Sequence, residues 1–128
     1  MRDEAIFGAL IAAQALHSIE EYLGRLWLVF PPARFVTGLL SQDRRQAFII
    51  INLALIAFGI WCFVWPVRRG WRARGYIIGF WVAIELTNGV GHSWWTLRQQ
   101  AYTPGALTAP LLLVLAIVLA WQYLGRRS

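Results

Sequence analysis

A chain of 128 residues that is 59% hydrophobic, 15% aromatic and only 14% charged departs from the ordinary soluble domain, which is about 45–50% apolar and about 25% charged. A single cysteine excludes a disulfide scaffold and a cysteine-rich zinc module, and eight tryptophans exclude a disordered chain. All twelve basic residues behind the net charge of +6 are arginines. They sit mostly between apolar runs, as membrane-flanking charge does, which argues against a nucleic-acid partner.

The composition therefore predicts a small integral membrane protein, one domain over residues 1–128. A spanning helix needs about 20 mostly apolar residues, and four runs qualify: 5–30, 47–65, 76–97 and 106–123. The first carries Gln14, His17, Glu20, Glu21 and Arg25, yet Leu26-Trp27-Leu28-Val29-Phe30 lies beyond the acids, so the span is expected to continue to Phe30 and stop at Pro31-Pro32. No cleavable signal peptide is expected from this first run. In 33–45, Phe35, Val36, Leu39 and Leu40 recur at offsets of three and four, the pattern of a short amphipathic helix along the interface. Cys62 falls inside the second run and reads as a buried small hydrophobe. Trp27, Trp65, Trp71, Trp94, Trp95 and Trp121 fall near span ends, where tryptophan anchors to the interface. The expected fold is all-α, an integral membrane four-helix bundle.

Four spans place both termini and the central loop on one side, with Arg2, Arg68, Arg69, Arg72, Arg74, Arg126 and Arg127. The other side carries Arg25, Arg34, Arg44, Arg45 and Arg98. The excess of positive charge predicts a multi-pass cell-membrane protein with both termini in the cytoplasm.

Against this apolar background the polar residues inside the spans are conspicuous, because a charged side chain at the bilayer centre costs roughly 2.5–3.5 kcal/mol. His17, Glu20 and Glu21 share one face of the first helix, with Gln14 a turn earlier. Glu85, Asn88 and His92 share one face of the third, at a similar depth in a helix running the same way. Facing each other, they would make a cluster of imidazoles, carboxylates and an amide. Such a cluster handles its charge by binding a divalent cation or by keeping a carboxyl group protonated. The metal reading draws its ligands from His17, Glu20, Glu21, Glu85 and His92, a set suited to zinc, iron or manganese. An ion pair between Glu21 and Arg25, a hydrogen-bonded core role for His92, and a single interhelical hydrogen bond at Asn52 are the plain structural alternatives. Gly89-Val90-Gly91 allows either close helix approach or a local break.

Three strings, His17-Ser18-Ile19-Glu20-Glu21, Asn88-Gly89-Val90-Gly91-His92 and Tyr102-Thr103-Pro104-Gly105, taken in that order, resemble the HXXEE-domain family of small bacterial integral membrane proteins. The resemblance runs roughly from Gln14 to Thr108. It implies a site rather than a reaction: His17, Glu20, Glu21, Asn88, His92 and Tyr102, with Tyr102 either a lid or a hydrogen-bond donor over the cluster, or a plain interface tyrosine.

The leading expectation is an enzyme within the membrane acting on a small hydrophobic or lipid-like substrate. Its chemistry would be carried by a metal or by general acid–base catalysis. A small proton-coupled transporter working through buried glutamates is the alternative, similar to small multidrug exporters, and it brings a homodimer with it. Bis-histidine haem binding ranks last, since it leaves the carboxylates without a role.

Overall fold

The computed structural model describes residues 3–126. Arg2, Arg127 and Ser128, the first two counted in the charge asymmetry, lie outside them. Among the described residues the fold is all-α, with six helices and no strand: α1 Asp3–Leu23, α2 Leu26–Val29, α3 Pro31–Leu40, α4 Arg44–Cys62, α5 Arg74–Gln99 and α6 Ala109–Gly125. A π-helical turn, Phe63–Val67, continues α4 through Pro66, whose missing N–H disrupts the regular ladder.

The first run is not one continuous helix to Phe30. Helix α1 ends at Leu23, and Arg25 takes a left-handed conformation with φ 53° before the single turn of α2. Gly24 allows this turn to press onto the loop between α5 and α6, for a Cβ there would lie 2.5 Å from Pro104. The helical run does stop before Pro31-Pro32, with Phe30 extended at the end of α2, and the two prolines then begin α3. Proline at the first helical position removes an N–H that has no partner anyway and presets φ. The amphipathic helix expected over 33–45 is therefore α3, and Phe35, Val36, Leu39 and Leu40 all lie exposed on it.

Helix α6 packs closely against both α5 and α1, burying Leu112, Ala116 and Leu119. Close approach to α5 is set at Gly89, where a Cβ would meet the Cβ of Leu113 at 2.8 Å and its Cα at 3.1 Å. Of the two roles open to Gly89-Val90-Gly91, close packing is the one realised, and α5 runs unbroken through it. The apolar core joins Ile6, Phe7 and Leu10 of α1 to Ile78 and Trp81 of α5, with Phe7 and Trp81 edge to face at 6.5 Å. Cys62 is fully buried there, a packing residue. Trp27 is buried too, against Phe48 and Tyr22, and is a packing residue rather than an interface anchor.

By length and composition one helix among the described residues, Arg44–Val67, is long and apolar enough to cross a membrane. Helix α6 is apolar but has 17 residues, about 26 Å at 1.5 Å per residue. Helix α1 carries four acids, Asp3, Glu4, Glu20 and Glu21. At the end where α1 starts and α6 finishes, Asp3 binds Arg74 at 2.7 Å and Arg126 at 3.3 Å.

Candidate functional site

The two glutamates of His17-Ser18-Ile19-Glu20-Glu21 are neighbours in sequence but diverge by about 100° around α1. Glu21, four residues after His17, stacks over the same face, whereas Glu20 points sideways at the start of α6. Each glutamate therefore enters a different set of contacts.

Glu20 is held by four donors. Tyr102 Oη donates at 2.7 Å and Leu107 N–H at 3.0 Å to one oxygen, while Thr108 N–H at 2.9 Å and Thr108 Oγ1 at 2.6 Å donate to the other. The backbone donors lie in the last turn before α6, where N–H groups point away from the helix and favour an anion. Tyr102 is thus a donor to the site. Burial, followed by its hydrogen bond to ionised Glu20, pushes its hydroxyl up to about 12, so it keeps its proton.

This arrangement assigns the proton on His17. Thr108 has one hydroxyl proton and gives it to Glu20, so the His17 Nδ1 at 2.7 Å must be the donor to Thr108 Oγ1. His92 is assigned the same way, because its Nδ1 lies 3.0 Å from the carbonyl oxygen of Pro104, which can only accept. In a neutral ring with its proton on Nδ1, the Nε2 lone pair is the one left free. Both Nε2 atoms face Glu21, His17 at 3.6 Å and His92 at 3.3 Å, one to each carboxylate oxygen. The rings meet edge to face at 4.6 Å. His17 Nε2 is buried and has no hydrogen-bond partner.

His17, Glu21 and His92 are all buried, and one ligand atom from each lies within 4.8 Å of the others. With both rings neutral, three acceptors aimed at one another repel unless a proton or a metal cation stands among them. Ligand atoms held about 2.0–2.2 Å from one ion lie about 3–3.5 Å apart, and the two nitrogen–oxygen distances are close to that range. The donor set fits a divalent transition metal, with Thr108 and the Pro104 carbonyl as the outer partners that metal-binding histidines ordinarily have.

The remaining predicted residues lie apart from this triad. Glu20 faces Tyr102 and Thr108 rather than Glu85 and His92, because its i+3 position turns it to the loop. Glu85 is fully buried a turn or two deeper, beside Gln14 and Asn88. Glu21 turns to the imidazoles and not to Arg25. Asn52 makes the interhelical bond expected of it, accepting from Ser18 Oγ at 2.7 Å.

Gly105 closes the site. Its φ is +98°, and a Cβ there would lie 2.6 Å from His92 Nδ1 and 2.8 Å from His17 Cε1. The loop backbone therefore lies directly on both rings, and glycine is the residue that allows it. Thr108 is the site residue that the sequence reading missed. Its one signal was position: a threonine just before Ala109-Pro110 reads as the cap of a helix start. Outside the loop, a cavity of about 550 Å³ is lined by Val29, Trp95, Tyr102 and Pro104 among others. The Trp95 ring that lines it lies 6.3 Å from His92 and 4.6 Å from Phe30.

The family model described as "Protein of unknown function with HXXEE motif" matches residues 9–120. No curated protein and no solved structure matches the chain.

Proposed function

We propose that the chain, which belongs to the HXXEE family, is a four-span membrane enzyme built around a metal held by His17, Glu21 and His92, acting on a small hydrophobic or lipid-like substrate. The observation that carries the chemistry is the convergence of two imidazole Nε2 atoms on one buried carboxylate, with each Nδ1 engaged elsewhere. A metal bound there supplies a Lewis acid for a substrate oxygen or a water. The protein's own part is to fix both tautomers through Thr108 and Pro104, to exclude bulk water beneath Gly105, and to place the Tyr102 hydroxyl at the rim. The cavity beside Trp95 and Tyr102 is of the size that binds small ligands, about 300–1,000 Å³.

The membrane reading draws support from the distribution of polarity. All four long helices expose large apolar side chains, among them Leu16 and Ile19 on α1, Ile50 and Leu53 on α4, Val90 and Trp94 on α5, and Val114 and Ile117 on α6. Gln14, His17, Glu21, Glu85 and His92 are buried between them. A chain apolar outside and polar inside suits a lipid solvent, where intramembrane ionisable groups face the bundle interior. Asp3, Arg74 and Arg126, drawn together at one end, are consistent with an even number of crossings and with cytoplasmic termini.

Metal analysis of protein purified without chelator tests the centre, with one equivalent of zinc, iron or manganese per chain expected. Protein that carries well under one equivalent and takes up none on reconstitution would sink the metal reading and leave an acid–base cluster of the same residues. An absorption spectrum of the same sample would expose haem. Reporter fusions in the loop around Arg72 and after Ser128 test the topology, and an external signal from either would refute it.

A further inference from the structure

Beneath the histidine pair a second set of buried polar groups crosses three helices, and its hydrogen-bond directions can be assigned from one end to the other. Asn52 fixes the start. Its Nδ2 donates to the carbonyl of Phe48 at 2.9 Å, so its Oδ1 is the atom that faces Ser18 Oγ at 2.7 Å, and Ser18 must donate there. A hydroxyl has one proton. Having given it to Asn52, Ser18 accepts from Gln14, whose Nε2 lies 3.0 Å away. The other end of the same amide, Gln14 Oε1, accepts from Asn88 Nδ2 at 3.3 Å. It also lies 2.6 Å and 2.9 Å from the two carboxyl oxygens of Glu85. Two oxygens at 2.6 Å without a proton between them repel.

Rotating the Gln14 amide by 180° does not relieve the conflict. Its NH2 would then donate to Glu85, but its oxygen would face Ser18 Oγ at 3.0 Å. Ser18 would be left between two acceptors with one proton. The rotated NH2 would also oppose the Asn88 NH2 at 3.3 Å, donor against donor. Turning Asn52 instead would set its oxygen 2.9 Å from the Phe48 carbonyl. Each rearrangement moves the unpaired contact without removing it, and inside a bundle an unpaired contact of this kind is expensive.

We infer that Glu85 is a neutral carboxylic acid that donates to Gln14 Oε1, and that it is the positioning residue which fixes the Gln14 amide beneath the His17–Glu21–His92 site. The chain of bonds then runs in one direction, Glu85 to Gln14 to Ser18 to Asn52 to Phe48, with every proton placed once. This inference needs only the hydrogen-bond geometry and stands whether or not a metal occupies the site above it.

The test is infrared spectroscopy on the full-length protein at neutral pH, with glutamate carboxyls labelled with carbon-13. The unaltered protein should show the carbonyl stretch of a protonated glutamic acid, shifted by the label and absent from Glu85→Gln. Glu85→Asp should keep a protonated carboxyl band at a new position that no longer responds to the glutamate label. Glu85→Gln offers an NH2 in place of the acidic proton, so it should hold metal content or activity within about twofold of the parent, while Glu85→Leu loses the donor and falls further. An unaltered protein with no such band overturns the inference even if every variant fails to fold. So does a band that survives in Glu85→Gln, or a Glu85→Gln variant as impaired as Glu85→Leu.

Discussion

The two halves of the bundle place their polar atoms on opposite plans. Toward the start of α1, the interior is apolar from Ile6 to Leu10 and from Ile78 to Trp81, and charge is confined to the rim, where Asp3 gathers Arg74 and Arg126. Toward the other end, the interior holds imidazoles, carboxylates and amides, and a loop backbone rather than side chains closes it. The same helices supply both halves, so the difference comes from which residues occupy the inward face. The apolar half holds the helices together by packing. The polar half makes every group depend on a partner from another element, so a single lost hydrogen bond there alters protonation or ligand direction and not only stability.

This contrast predicts a double dissociation. His17→Ala or His92→Ala should abolish metal binding, a loss beyond the roughly 10–100-fold that removing an outer hydrogen-bond partner costs, while the purified variants stay helical. Leu10→Ala should do the reverse, lowering stability by about 2–5 kcal/mol with metal content unchanged. Metal analysis and thermal unfolding on the same preparations decide it, and equal losses of both properties in both variants would erase the distinction between the halves. Gly105→Ala comes next in size. Its methyl group would collide with both rings and strain a positive φ by about 1–3 kcal/mol, so metal affinity should fall at least as far as for an outer partner. Unaltered affinity in Gly105→Ala would mean that the loop does not lie on the histidines.

Periodicity found the inward faces, because a helix repeats every 3.6 residues whatever surrounds it. That is why His17 with Glu21, and Asn88 with His92, could be placed on shared faces from the sequence. Periodicity did not separate Glu20 from Glu21, since an i+3 and an i+4 neighbour both count as one face until a third element chooses between them. Here α6 chooses, through the N–H groups of Leu107 and Thr108. The break after Leu23 was hidden for a related reason. Arg25 is an unusual residue for a left-handed turn, and only the packing of Gly24 on Pro104 shows why the chain bends there. Thr108 and Gly105 were visible as letters but not as partners of His17, because a contact across about 90 residues leaves no local signal.

Thr108→Val tests whether the outer shell matters as the geometry implies. The substitution keeps the shape and removes the hydroxyl that joins Glu20 to His17, so His17 loses the partner that fixes its tautomer. Metal affinity should fall about 10–100-fold, and Thr108→Ser should restore most of it. A valine variant that binds as tightly as the parent would show that the relay is packing alone.

The smallest effect belongs to the rim of the apolar half. The Arg74 guanidinium, through its hydrogen bond, holds the Asp3 carboxyl below its ordinary value despite the opposing cost of burial, with Arg126 adding to the shift. A carboxylate lowered on folding contributes stability that is fully present above its unfolded value, about 3.9, and that is lost as pH falls through the folded value. The parent should therefore lose this contribution only under acid conditions, below the unfolded value. Asp3→Asn should cost about 1.5–3 kcal/mol at neutral pH, the worth of a hydrogen bond to a charged group, and that difference from the parent should vanish in acid. Thermal unfolding across the acid range reads both outcomes, and metal content should stay at the parent level throughout. A difference that persisted below the unfolded value would place the effect in packing rather than charge. A loss of metal in Asp3→Asn would show that the two halves of the bundle are coupled after all.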